Sequence, residues 1–341
     1  MRFRPPLRLS AAVLAVALAG CGQHDAEPAG SRAPADALPS AAEPQRAPPP
    51  GVPALGRIVQ VGKSPEGIVI DDTTRTVAVA TRDPDQLILL NADSGAVTGR
   101  VPLPGSARHL RLAGTGGTVL VPVETANVLV RVDLRRKAAS PPIVTGTSPH
   151  DAAAASDGTV FVTNEHGGTV TALRDNHIEK IFTGSVQPAG VAAAGPTIGM
   201  IDARANTFTA YDADKLTVLG STPAGAGPTH LVADRHGQMI AADTRGDAIR
   251  VFDPAPAPRQ VASASQAGGP YGLAYDPQRD RLWVASSGTN RVVGYDMTQP
   301  TPRQVREFPT VQNPYSLTAD PTTGRLFIAG VSGGQVQIID T

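Results

Sequence analysis

The stretch "GPYGLAYDPQRDRLWVASSGTNRVVGYD", residues 269–296, decides how this chain folds. It holds three short apolar runs, "YGLAYD", "RLWVAS" and "RVVGYD", parted by the turns "PQRD" and "SGTN". After a Pro-rich break a fourth run follows, "RQVREFP", residues 303–309. Runs of this length, rich in Val, Leu and aromatics and bounded by Gly, Pro, Asn, Asp and Ser, read as the strands of an antiparallel meander.

The same unit recurs along the chain. Seven segments start alike: "SPEGIVID" at Ser64, "SARHLRLA" at Ser106, "SPHDAAAA" at Ser148, "QPAGVAAA" at Gln187, "GPTHLVAD" at Gly227, "GPYGLAYD" at Gly269 and "NPYSLTAD" at Asn313. Their spacings are 42, 42, 39, 40, 42 and 44 residues. A period near 40 with four strands per unit is the mark of a radial array of blades. The expected fold is therefore all-β, a seven-bladed β-propeller of four-stranded blades. The last unit supplies only three strands before Thr341. "GRIVQVG", residues 56–62, resembles "TGRVPLPG", residues 98–105, which closes the first unit. The amino-terminal strand is thus expected to complete the last blade and remove two open sheet edges. Residues 56–341 then form one closed domain.

The segments "GPYGLAYDPQRDRLWVASSGTNRVVGYD" and "NPYSLTADPTTGRLFIAGVSGGQVQIID" resemble the YVTN-type repeat of YncE-like seven-bladed propellers. The resemblance covers essentially all of 56–341 and implies the fold, not an activity, because propellers host many functions. The aspartates that end strands in this pattern, Asp133, Asp212, Asp253, Asp296 and Asp340, are expected to cap turns. So are Asp157, Asp234, Asp276 and Asp320 in the first hairpins.

The chain opens with "MRFRPPLRLSAAVLAVALAGCG". Three arginines, an apolar run of eleven residues too short to span a bilayer, and a small-small-Cys ending have the layout of a secretory signal. Leu18-Ala19-Gly20-Cys21 resembles the bacterial lipobox, which implies a signal peptide over 1–20 and a lipid on Cys21. The expected location is exported, anchored to a membrane of the cell envelope and facing away from the cytoplasm. Cys21 is the single cysteine, so the folded body has no disulfide. Without residues 1–20 the chain carries 27 basic and 30 acidic residues. No basic face for nucleic acid is expected. The following Pro- and Ala-rich segment, 21–55, lacks any apolar period and reads as a disordered tether.

In a blade the first strand lies nearest the axis. The pair after each leading Pro therefore lines one mouth of the central channel: Glu66-Gly67, Arg108-His109, His150-Asp151, Ala189-Gly190, Thr229-His230, Tyr271-Gly272 and Tyr315-Ser316. Loops after the second strands add Arg82, Glu124, Glu165, His166, Asp202, Arg204, Asp243 and Arg245. Alanines 152–155 and 192–194 fit the crowding near the axis.

Three readings of this mouth stand. One is a solvated funnel with internal ion pairs, such as Arg108 with Glu124 or Arg204 with Asp202. The second is a binding or scaffold site for a small molecule, a peptide or an envelope protein. Its expected residues are His109, Glu124, His150, Asp151, Glu165, His166 and His230. The third is a metal-assisted lyase or hydrolase. Streptogramin lyases are similar seven-bladed propellers with histidines and glutamates around magnesium, but their site does not carry over residue by residue. The glutamate, asparagine and aspartate set of calcium-dependent lactonases is not evident. No cofactor is expected for a binder. If a divalent metal is held, His150, Asp151, Glu165 and His166 are the expected ligands. A binding module is the reading preferred over an enzyme.

Overall fold

The computed structural model describes residues 38–341. The expected signal peptide over 1–20 and Cys21 lie outside the described residues. Among the described residues no helix is long and apolar enough to cross a membrane.

Seven antiparallel sheets stand around an axis. Blade 6 consists of Pro270–Asp276, Arg281–Ser286, Arg291–Asp296 and Arg303–Pro309, the four runs read from the sequence. Blade 7 consists of Pro314–Ala319, Leu326–Gly330 and Gln335–Ile339. Arg57–Gln60 is its fourth strand, paired antiparallel from Arg57 opposite Ile338 to Gln60 opposite Gln335. The ring is closed by its own first strand, as expected. Blade 2 departs from the pattern, because its outer edge is split into Ala138–Ala139 and Ile143–Val144. Helix among the described residues is limited to one 3-10 turn, Glu124–Ala126.

The core lies between blades. Each sheet buries one face on the blade before it and the other on the blade after it. Its middle strands therefore read as unbroken apolar runs. Leu87, Ile88, Leu89 and Leu90 are all fully buried. Leu87 and Leu89 pack with Val119, Val121 and Val130 of blade 2. Ile88 and Leu90 pack with Phe327, Ala329 and Val336 of blade 7. The first strands run side by side around the axis and come very close together. A Cβ on Gly190 would lie 2.7 Å from the Thr229 carbonyl oxygen, and one on Gly272 would lie 2.6 Å from that of Tyr315. Glycine at these two positions is a packing requirement, since backbone cannot give way.

Turn chemistry follows the repeat. Asp133, Asp212 and Asp296 accept backbone amides of the turns that follow them. Asp157, Asp234, Asp276 and Asp320 do the same in the first hairpins. Asp253 and Asp340 instead bond side chains, Gln238 and Arg325 respectively. On the face away from the mouth, arginines tie each blade to another. Arg75 meets Asp320 of blade 7 at 2.8 Å, and Arg235 meets Asp280 of blade 6 at 2.9 Å.

Residues 38–55 depart from the tether expected over 21–55, whose first part, 21–37, lies outside the described residues. They lie along the mouth-side loops of blades 4 to 7. Arg204 donates to the Leu38 and Pro39 carbonyls, and Arg245 to that of Ser40. Gln312 donates to Ala47 and Asn290 to Pro48. Ala42 and Ala47 are buried. The physical reason is that an extended Pro-rich chain leaves its carbonyls free, and Pro has already restricted the chain. Low hydrophobicity argued against self-folding, but here the propeller supplies the surface.

Candidate functional site

The mouth residues owe their placement to an irregularity in the first strands. In blades 3 to 7 the register with the second strand shifts just after the leading Pro, between Pro149 and Asp151, Pro188 and Val191, Pro228 and Leu231, Pro270 and Leu273, and Pro314 and Ser316. Such shifts re-aim side chains and end regular pairing. They turn His150, His230, Tyr271 and Tyr315 out of the ladder at the channel mouth.

Three histidines from three blades meet there. The His109 and His230 rings lie edge to face with centroids 4.5 Å apart, and the His109 and His150 centroids are 4.6 Å apart. His109 Nε2 and His230 Nε2 are separated by 3.1 Å. One potential ligand atom from each of the three rings lies within 4.8 Å of the others. His230 Nδ1 lies 2.6 Å from the Tyr271 carbonyl oxygen. His150 Nδ1 lies 3.0 Å from Glu165 Oε2. Both of those oxygens only accept, so each Nδ1 carries the proton. In the neutral ring Nε2 is then the lone-pair atom.

Burial holds His109 well below the ordinary histidine value, with the nearby His230 and His150 adding to it. Burial likewise lowers His230 to about 3, although the Tyr271 carbonyl opposes this. Burial would raise Glu165. The hydrogen bond from His150, the Gln187 amide and Arg108 outweigh it and hold the carboxyl at about 2. Gln187 Nε2 donates to Glu165 Oε1 at 2.8 Å.

A second group, Glu124, Glu165 and His166, lies beside the first and is linked to it by the contact of Glu165 with His150. Arg108 approaches Glu124 at 3.4 Å, the expected pair. Arg82 binds Glu66 at 2.6 Å and lies 3.8 Å from Glu124. The expected pair of Arg204 with Asp202 is replaced. Arg204 reaches Leu38 and Pro39, and Asp202 accepts the amides of Val186 and Gln187.

The expected metal set does not assemble as a unit. His150 joins His109 and His230, whereas Glu165 and His166 join Glu124. Asp151 is fully buried and holds Arg111, with its oxygens also accepting the amides of Ala152 and Val191. It braces the ring and has no free edge for a ligand. Arg111 also donates to the Leu231 carbonyl of blade 5, so it spans the channel just below the histidines.

Above them is a cavity of about 280 Å³, lined by Glu66, Arg108, His109, Tyr271, Tyr315 and Ser316 together with Glu43, Pro44 and Arg46. The two tyrosine rings are 5.6 Å apart, edge to face. Tyr271, Tyr315 and Glu66 sit at mouth positions that the repeat marks, although the expected ligand residues did not include them. Glu43 to Arg46 had no signal in the sequence, since they belong to the segment read as tether.

No family model matches this chain. No curated protein matches it either. Among solved structures, hydrazine synthase of Kuenenia stuttgartiensis superposes with a TM-score of 0.72 at 16% identity, covering 82% of this chain and 96% of that one. A streptogramin B lyase gives 0.68 at 13%, covering 83% and 96%. The Cps50 (Swd1) β-propeller domain of Myceliophteria thermophila gives 0.71 at 11%, covering 84% and 99%. At such identities the likeness carries the fold alone: this chain is a seven-bladed β-propeller.

Proposed function

We propose that this protein is an exported, lipid-anchored propeller of the YncE-like kind that binds a small polar ligand or a peptide end at the mouth of its ring. The observation that carries the reading is the 280 Å³ mouth cavity, which combines the Tyr271 and Tyr315 rings with the Arg108 guanidinium. Convergent polar groups over an aromatic wall are what a ligand pocket needs. Burial works against the Arg108 charge. Tyr271, Glu124, Glu66 and Glu165 outweigh it and raise its pKa further, so the cation persists at any physiological pH.

A thermal-shift screen of the full chain against carboxylates, phosphorylated compounds and short peptides tests this. A ligand at about 100 times its Kd stabilises by roughly 2.7 kcal/mol, or about 5 °C for a domain of this size. Tyr315→Ala and Arg108→Gln should each remove the shift. A panel without any shift at millimolar concentration ends the proposal. The second reading, a metal-assisted lyase or hydrolase, is favoured by the convergence of His109, His150 and His230. A panel compound that is consumed rather than bound moves the assignment to that reading.

Anchoring rests on the lipobox-like "LAGC" at 18–21. In a bacterial host, Cys21→Ala should abolish labelling by a fatty acid and move the protein from the detergent to the soluble fraction. A Cys21→Ala variant that stays with the membrane would show that something else holds it there.

A further inference from the structure

We propose that His109, His150 and His230 form a tri-imidazole site for a borderline divalent transition metal, with zinc as the ion to test. The inference goes beyond ligand binding at the mouth. It shares only His109 with the lining of the mouth cavity and concerns a different class of ligand.

Four observations converge. The rings come from blades 2, 3 and 5, so the ring closure itself assembles them. His109 Nε2 and His230 Nε2 are 3.1 Å apart. Two nitrogens on one tetrahedral zinc stand about 3.3 Å apart, from bond lengths of about 2.0–2.1 Å. His150 Nε2 and His230 Nε2 are left as lone-pair atoms because each Nδ1 is committed to an acceptor, the Glu165 carboxylate and the Tyr271 carbonyl. This is the outer support that metal-bound histidines have, fixing tautomer and ring orientation. Glu165 is itself braced by Gln187.

Donor chemistry selects the ion. Neutral imidazoles suit zinc, copper, nickel and cobalt, whereas magnesium and calcium take oxygen ligands. Three protein ligands leave a coordination position for water or for a mouth ligand. His109 also lines the mouth cavity, which gives that position access to solvent. With no metal bound, the short His109–His230 contact is satisfied by a proton on His109 Nε2 donated to His230 Nε2. When an ion takes Nε2, that proton shifts to His109 Nδ1 and the ring stays a neutral ligand.

The test uses the full chain, stripped by chelator dialysis and titrated with Zn²⁺ against a chromophoric competitor. One equivalent should bind, and excess Mg²⁺ should not displace it. Glu165→Gln should weaken uptake by about 10- to 100-fold. His109→Ala and His230→Ala should weaken it by more, and His166→Ala should leave it unchanged. Where a histidine variant fails to fold, the wild-type Co²⁺ form still decides. It should show the intense visible bands of four-coordinate cobalt. Weak bands of six-coordinate cobalt, no stoichiometric uptake of zinc, or uptake lost in His166→Ala but kept in His230→Ala each overturn the proposal. Zinc uptake requires no mouth ligand, so it stands or falls separately from the thermal-shift screen.

Discussion

A chain that starts at Lys63 will melt about 10 °C below the full-length protein and will self-associate. It has lost Arg57–Gln60, the fourth strand of blade 7, whose four residues pair with Gln335–Ile338. It has also lost Val61, which is buried with Ile70, Phe327 and Val336 between blades 7 and 1. Burial of such a side chain contributes about 1.5–3 kcal/mol, and each ladder hydrogen bond about 1 kcal/mol. Together they come to roughly 5 kcal/mol, near 2 °C per kcal/mol at this size. The strand Gln335–Ile339 becomes an open edge, a template for another chain. A chain starting at Val52 keeps the closing strand and loses only contacts along the mouth, so its midpoint should move far less. Calorimetry and light scattering on the two truncations make the comparison. Equal midpoints, with both forms monomeric, would mean that the first strand does not hold the ring together.

Asp151→Ala will cost about 3 kcal/mol, although the sequence marks Asp151 as a mouth residue. Its carboxylate is fully buried and receives Arg111 Nη2 at 3.0 Å, the Ala152 amide at 2.9 Å and the Val191 amide at 3.2 Å. These bonds join blades 2, 3 and 4. Truncation strands a cation and two amides together. Breaking a buried pair costs about 3–5 kcal/mol. Arg111 retains 28% exposure and can partly rehydrate, which places the estimate at the lower end. Asp151→Asn keeps an acceptor oxygen and should lose less. His166→Ala, at an exposed site, should stay within about 0.5 kcal/mol. Urea denaturation of the three variants reads these costs. An Asp151→Ala protein as stable as the parent would return Asp151 to the list of mouth ligands.

Much of the architecture was legible because each blade repeats a local grammar. Blade 6 appears within a residue or so of the runs read from "GPYGLAYDPQRDRLWVASSGTNRVVGYD". The closing strand was legible because the last unit lacks one strand and the first residues offer one. The site was legible only in outline. The repeat carries His109, His150 and His230 to one mouth, but it does not say which side chains face each other there. Blades 2, 3 and 5 are not all neighbours, and contact across an axis depends on how far each first strand is shifted out of register. Asp151 shows the same limit. It is one residue from His150, yet the two side chains serve different neighbours.

What the sequence by itself determined is the ring. Strand length, turn residues and a 40-residue period are local properties, and their repetition leaves little freedom in how the units stack. What only the tertiary structure decided is the content of the mouth. Three imidazoles converge there, Arg111 reaches from Asp151 to the Leu231 carbonyl beside them, and residues 38–51 lie over the rim. Those contacts join residues far apart in the chain, 268 positions for Gln45 and Asn313. No periodicity encodes such pairs, because they depend on shape and on hydrogen-bonding groups that become neighbours only after the ring has closed.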